Sequence, residues 1–593
     1  MQNRSPESRR RGLFTQSSVL RPRTFFFIAL IASFAITRLT VAAPAFTDAF
    51  YHLNGANRLA TGQGFTEPYL WTYIGAPDAL PDSGVFPSHL YWMPLTSIIG
   101  AAGMSLLGQP HVYYAAQWPF ALLLAFTACL GFWIGQRLGG TARHAWVAGL
   151  LTLFSGYFTR FWGTLDTFAP YAFIGALALA VMGVALAAPV ALTPSSPSGR
   201  GENAHSGFEV PRPEGVGFRV RADSPSPLGR GGWGVRAYIL WLLAGALAAL
   251  AHLTRNDGVL LLLVGGFILL FTAKYAESRR EKSFNPLRTL RSLRLNSLGL
   301  LLLGYLVVML PWFARNMAAV GSPLPFGGTA AIWFREYNDL FNFPPDASPQ
   351  TAFANGLGDF INARREALTN NLGTFIAVEG LIVMTPFMLL GLWRRRGDPF
   401  LTPFALYALG LHLVMTLVFP HPGYRGGLFH SAAALVPFWA ALGVVGVDDA
   451  VDWVARRRRR WNATTAKRLF SGALVALALY LSAMIGLAGR VPPITQQPPL
   501  YAALIRELPT NARVMINDPA QLYYFTGLGG VALPNEQPST ILEIARRYDI
   551  DYLVLESPGG TPAPLLSLFE TPPDFLTPIA LPSTDARVYA IRR

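Results

Sequence analysis

Asp48 and His52 stand four residues apart in the stretch Phe46–His52, shortly after the first long apolar run. On a helix that spacing puts a carboxylate and an imidazole on one face, a pair able to take a proton from a hydroxyl. Other acids, bases and cations recur between later apolar blocks: His89 and Tyr91, Arg160 and Asp166, Arg255 and Asp257, Arg315, and then Tyr424, Arg425 and His430. Each has a plainer use. An Asp at a helix start serves as an N-cap, and an Arg at the edge of an apolar block anchors to lipid phosphate. His412, inside an apolar block, reads as a satisfied core histidine. What sets the candidates apart is that they fall at one end of the apolar blocks, opposite the dense Arg clusters. The sequence contains no Walker loop, HExxH or GxSxG motif, so any chemistry is assembled from several loops.

The elements that carry these loops are membrane-spanning. Of 593 residues, 52% are hydrophobic and 14% charged, against about 25% charged in a soluble domain. Apolar runs of about 18 residues or more cross a bilayer as helices, and the runs here lack the alternation of barrel strands. About eleven transmembrane helices are predicted, near 24–43, 111–135, 144–159, 168–188, 237–253, 258–273, 296–313, 373–392, 400–419, 431–447 and 469–487. The net charge of +15 resides in Arg clusters between them, as the positive-inside rule requires of cytoplasmic loops. No recognition module accompanies that charge, which excludes a nucleic-acid partner. The run after Arg23 is too long for a signal-peptide core, so the first helix is expected to be retained.

Four regions follow: a basic cytoplasmic N-terminus (1–23), the transmembrane domain (24–488), a Pro/Ser/Gly-rich insertion within it (189–236) and an external soluble domain (489–593). The insertion's composition cannot bury a core and reads as disordered. In the first external loop, 92–107 reads as an interfacial helix. In the last region Arg513–Ile516 and Tyr552–Leu555 have the length of strands, and 540–548 has helical spacing, so a small α/β fold is expected. Asn462 opens a glycosylation sequon on the cytoplasmic side, where it is discounted. The single cysteine, Cys129, excludes an intramolecular disulfide and reads as a small hydrophobe.

The charged segment around Asp48, the proline-bearing stretch from His89 to Leu95, and Asp166 closing the run from Gly163 resemble the GT-C superfamily of membrane glycosyltransferases. Its members include protein O-mannosyltransferases, bacterial aminoarabinose transferases and rhizobial lipopolysaccharide core transferases. The stretches from Leu253 to Gly258 and from Leu310 to Asn316 look like late-helix motifs of bacterial members, and the resemblance covers roughly residues 24–450. Where protein O-mannosyltransferases carry an Asp-Glu pair, Ala49 follows Asp48; the departure bears on the acceptor class. The resemblance implies an all-α polytopic GT-C-like fold with interfacial helices in the first external loop, in a bacterial plasma membrane. It implies transfer of a sugar from a polyprenyl-phosphate donor to a lipid, glycan or protein acceptor at the external face.

In that reading Asp48 is the general base or organises it, and Asp166 positions the acceptor or assists a metal. Arg255, Arg315 and Arg425 are candidates for the donor phosphate. His52, His89, Tyr91, Arg160, Asp257, Tyr424 and His430 line the substrate site. No cofactor is demanded by any ligand spacing, and a divalent cation is compatible with the acids. A transporter would place its polar groups near the bilayer midplane on paired repeats, and no such repeat is present. A non-catalytic assembly protein using the external domain to hold a partner is the other alternative.

Overall fold

The computed structural model describes residues 22–187, 232–278, 286–324, 327–354, 356–458, 460–581 and 585–593. The basic N-terminus up to residue 21, and the insertion up to residue 231, lie outside the described residues.

Helix α1 (Pro22–Thr40) leads into a loop that carries α2 (Thr47–Ala60) and α3 (Leu95–Leu107). There follow α4 (Tyr113–Gly139), α5 (Ala142–Leu153), α6 (Phe168–Ala187), α7 (Gly232–Thr254), α8 (Val259–Ser278) and α9 (Pro286–Val320). A second large loop ends at α10 (Leu357–Thr374), and α11 (Thr385–Arg394), α12 (Thr402–Leu413), α13 (Val436–Ala455) and α14 (Ala463–Ala488) complete the helical body. Among the described residues eight segments are long and apolar enough to cross a bilayer. They fall on eight of the eleven predicted spans, and the chain is an integral membrane protein.

Of the other three predicted spans, one is short and one is broken. Helix α5 has 12 residues, about 18 Å at 1.5 Å per residue. Helix α8 has 20 residues, Val259–Ser278, and the apolar stretch here among the residues whose side chains are described is Asn256–Phe271. Between α10 and α11 the helix is interrupted, with Leu381 and Ile382 at φ 44° and 68°, a conformation costly for branched side chains. The carboxylate of Glu379 is buried at this break. It accepts from the indole of Trp439 at 2.8 Å and lies 3.0 Å from His412 Nε2. His412 is thus partnered, its Nδ1 also 2.8 Å from the Ala408 carbonyl. Asn462 is the N-cap of α14, its side chain accepting from Thr465 N at 3.0 Å, which accounts for that residue structurally.

At one end of the bundle the two large loops and the last hundred residues pack together. In chain order the strands are β1 (Thr66–Glu67), β2 (Tyr69–Leu70), β3 (Phe86–Pro87), β4 (Arg513–Ile516), β5 (Gly529–Ala532), β6 (Tyr552–Leu555), β7 (Leu576–Ile579) and β8 (Arg587–Ile591). β1 and β3 pair with each other; the rest form one six-stranded sheet in the order β2-β5-β4-β6-β8-β7. β2, β5, β4 and β6 run parallel, and β8 and β7 add antiparallel. Alternation along β4 sends Val514 and Ile516 to one face and Met515 to the other, as a two-residue period requires. Helix α15 (Pro499–Glu507) covers the first face with Tyr501 and Leu504. Helix α16 (Pro519–Thr526) lies against α2, and α17 (Ser539–Tyr548) covers the second face with Ile541, Ile544 and Tyr548. The expected α/β fold is therefore present, but it takes β2 from the loop after α1.

Within the bundle, helices approach through glycines. A Cβ on Gly304 of α9 would collide with the Leu242 carbonyl of α7, and one on Gly245 of α7 with the Leu301 carbonyl. Such small-residue contacts allow close packing where no water drives association. Gly304→Val is expected to destabilise the protein by about 1–3 kcal/mol through overpacking, read as a lowered unfolding midpoint in detergent, whereas Gly299→Val, which meets nothing, leaves the midpoint in place.

Candidate functional site

Helix α2 starts behind Phe46, whose side chain makes no capping bond. Asp48 is therefore the second helical residue and not the N-cap. It contributes to the wall of a cavity of about 350 Å³ at the loop end of the bundle, between α2, the ends of α7 and α12, and the segment 419–430. Asp166 lies in the turn before α6 and is fully buried. Its Oδ1 accepts from Thr167 N at 2.5 Å and stands 3.6 Å from His430 Nδ1, while Oδ2 has no hydrogen-bond partner among the described residues. His430 stacks on Phe168 with ring centroids 3.9 Å apart, and its Nδ1 lies 2.8 Å from Thr167 Oγ1. Asp48, Asp166 and His430 each bring one donor atom to within 4.8 Å of the others.

Arg255 follows the last residue of α7. Its Nε donates to Asp257 at 3.0 Å and to Ser431 at 2.9 Å, and its terminal nitrogens reach Thr167 and the Gly427 carbonyl, both at 3.4 Å. Ser431 also donates to Asp257. This guanidinium is a fixed positive charge with its donors largely used. Arg425 lines the same cavity, lies 5.3 Å over the Tyr337 ring, and makes no hydrogen bond or ion pair among the described residues. Tyr91 lines it as well, and its carbonyl is held by Asn256 at 3.2 Å. Trp71, Tyr91 and Trp92 form an aromatic wall, with Trp71 4.2 Å from Trp92 and 5.1 Å from Tyr91. Apolar walls with a few convergent polar groups are the usual make-up of small-molecule sites.

The structure thus gathers Asp48, Tyr91, Asp166, Arg255, Asp257, Arg425 and His430. The remaining candidates lie elsewhere. The i, i+4 pair separates because α3 covers α2 one turn after Asp48: His52 is fully buried, 3.1 Å from Ser97. His89, at φ 60°, sits between Ser88 and Ser97 at 2.8 and 3.0 Å, and its N–H donates to Tyr51. Burial pushes the His52 pKa down to about 3 and that of His89 well below the ordinary range, so both rings stay neutral. Arg315 donates to the Phe65 carbonyl at 2.7 Å and rests 4.9 Å over Trp312. Arg160 is exposed and lies over Phe161, and Tyr424 lies outside the cavity lining. Thr167, Ser431, Asn256, Trp92 and Tyr337 were not singled out. All but Tyr337 adjoin a candidate in the chain, and that adjacency was the one available signal.

Burial lifts the Asp48 carboxyl to about 6 against the pull of Arg255. It lifts Asp166 to about 8, aided by the charge of Asp48 and opposed by Thr167 and Arg255. The donor set of two carboxylates and an imidazole, with Asp166 Oδ2 buried and unpartnered, suits a divalent cation of the Zn²⁺ or Mn²⁺ kind. An acid whose pKa is raised by folding adds stability below its unfolded value of about 4 and loses it as pH rises through the folded value. In chelator-treated protein the unfolding midpoint is therefore expected to fall between about pH 4 and 8 more steeply for wild type than for Asp166→Asn. Added Zn²⁺ or Mn²⁺ is expected to restore the wild-type midpoint at the alkaline end and to leave that of Asp166→Asn unmoved.

No protein-family model and no curated protein sequence matches the chain. Solved structures do. The Archaeoglobus fulgidus oligosaccharyltransferase AglB, in complex with an inhibitory peptide and a dolichol-phosphate, is 11% identical with a TM-score of 0.53, over 90% of this chain and 69% of that one. The A. fulgidus oligosaccharyltransferase in complex with Zn and sulfate is 13% identical with a TM-score of 0.54, over 89% and 67%. ArnT from Cupriavidus metallidurans, bound to undecaprenyl phosphate, is 13% identical with a TM-score of 0.51, over 97% and 98%. Identities this low speak to architecture alone, and both proteins are of the GT-C superfamily. The likeness accordingly gives this chain the fold of these two GT-C proteins.

Proposed function

We propose that the chain is a glycosyltransferase that moves a sugar from a polyprenyl-phosphate donor to an acceptor hydroxyl at the external face of the membrane. The observation that carries this reading is the cavity lined by Asp48 and His430, with Asp166 buried within 4.8 Å of both, beside two guanidinium groups and an aromatic wall. The polyprenyl phosphates bound in the AglB and ArnT structures support the donor class.

In this reaction the bond between the acceptor oxygen and the anomeric carbon forms, the bond from that carbon to the phosphate oxygen breaks, and the acceptor proton goes to a carboxylate. Asp48 is placed to receive it, since its carboxyl titrates nearer neutrality than a free one and general bases work best with a pKa near the working pH. Asp166 and His430 hold the other side of the acceptor position. A divalent cation bound by these groups would supply positive charge opposite the leaving phosphate. Of the arginines expected to meet that phosphate, Arg425 is the one that makes no hydrogen bond or ion pair among the described residues, and a charge-assisted fork is its natural use. Arg255 acts as a fixed charge that keeps the two acids together, with Asp257 and Ser431 holding it in place. Stacking on Trp71, Tyr91 or Trp92 fits the apolar face of a sugar ring. His52, His89, Arg160, Arg315 and Tyr424 have no direct part in this scheme.

Membranes carrying wild type are expected to transfer label from at least one member of a panel of radiolabelled polyprenyl-phosphate sugars. Asp48→Asn at equal protein level is expected to lose about a hundredfold or more, the scale of a lost general base; full activity in that variant would remove Asp48 from the mechanism. Arg425→Ala is expected to raise the KM for donor by about ten- to a hundredfold, the worth of a hydrogen bond to a charged group, with a smaller change in kcat.

A further inference from the structure

The helix that carries Asp48 has no cap of its own. Phe46 stands at its N-cap without a side-chain bond, and the first side chain of α2 is tied instead to a partner outside the helix. That partner is more than 450 residues away in the chain. The Thr47 hydroxyl donates to Asp518 Oδ2 at 2.7 Å. Asp518 is 8% exposed and is itself the N-cap of α16, its Oδ1 accepting from Gln521 N at 3.0 Å. One carboxylate therefore ties the first turns of two helices together, and one of those turns contains the candidate base.

The contact continues down α2. Phe50 packs against the rings of Tyr524 and Phe525, with centroids 5.2 and 5.8 Å apart. Asn54, buried, donates to the Ala520 carbonyl at 2.8 Å and to Tyr69 Oη at 3.2 Å. Arg58 reaches Tyr523 Oη at 3.4 Å. Residues 47, 50, 54 and 58 recur every three or four positions and so form one stripe along the helix. That stripe faces α16 from end to end. Beside it, β2 joins the sheet against β5, so the loop after α1 is bound to the last region by backbone bonds as well.

We infer that Asp518 is a positioning residue for the transfer reaction: through Thr47 it sets the place of Asp48, and the last hundred residues are part of the active-site frame rather than a separable binding module. The inference rests on the proposed glycosyltransferase reading. Displacing a reacting group by about 1 Å can cost about a hundredfold in rate, so a hydrogen bond at the residue next to the base is enough to matter. A purely structural Asp518 would affect the sheet and α16, whereas a positioning Asp518 acts on α2.

Three variants separate these. Asp518→Ser keeps a side chain able to cap α16 but too short to reach Thr47. Asp518→Asn keeps both bonds in reach. Thr47→Val removes the hydroxyl and leaves the α16 cap untouched. Each is measured in the full chain by hydrogen exchange of the backbone amides, and by transfer from a radiolabelled polyprenyl-phosphate sugar. Asp518→Ser and Thr47→Val are expected to speed exchange at residues 47–53 with α16 and the sheet unchanged. They are expected to lower kcat by about ten- to a hundredfold with the KM for donor within about twofold, and Asp518→Asn is expected to restore kcat to within about threefold. Unchanged exchange at 47–53, or equal loss of kcat in Asp518→Ser and Asp518→Asn, overturns the inference. Should wild type transfer from no donor, the glycosyltransferase reading fails, and the exchange at 47–53 still decides whether Asp518 holds α2.

Discussion

Two carboxylates meet at the buried end of a helix bundle, and neither can be charged there at no cost. Asp48 and Asp166 stand close enough to share a ligand with His430, and like charges at such range disfavour each other's ionisation. Arg255 answers part of that cost. Because a lone guanidinium would be as costly to bury as the acids, it is in turn satisfied by Asp257, Ser431 and Thr167. The chain of partners runs from the loop after α1, through the turns that precede α6 and follow α7, to the segment before α13. Four distant stretches of sequence are thus bound to one another by the need to neutralise two acids.

The rest of the architecture supplies the rigidity this needs. Helices α7 and α9, and likewise α11 and α13, cross at glycines whose replacement would strike a neighbouring carbonyl. Above them, Trp71 and Ile74 from the first loop pack with Phe334 and Leu340 from the second, and Asn535 N donates to the Phe341 carbonyl at 3.0 Å. The loops that carry the site are therefore not free ends. They form a second packed layer, resting on the helices on one side and on the mixed sheet on the other.

Much of this was legible in the residues themselves. Long apolar runs mark the spans because lipid leaves the backbone no other choice, and Arg513–Ile516 and Tyr552–Leu555 are β4 and β6 with the bounds of their short apolar runs. Less legible was anything decided by three-dimensional neighbours. Counting passes across the membrane groups Tyr424 with Arg425, yet only Arg425 lines the cavity, because adjacent residues on a helical turn point in different directions. The Asp48–His52 spacing was read as one functional face, but α3 lies over that face one turn along and takes His52 into a buried contact with Ser97. A two-residue strand such as β2 has too little length to show any period, so the union of the first loop with the last region left no trace in the sequence.

That union has a consequence for the order in which the molecule comes into being. Chains emerge from the ribosome N-terminus first, and segments fold as their partners become available. The helix bearing Asp48 is made long before its partners on α16 and β5, Thr47 and Asp518 being 471 residues apart. Every spanning helix can be in the bilayer while α2 still lacks the surface it lies on. The arrangement makes the appearance of α16 and β5 the event that gives α2 its bed, so that a chain interrupted before them carries the spans while the helix bearing Asp48 lacks the surface it packs on.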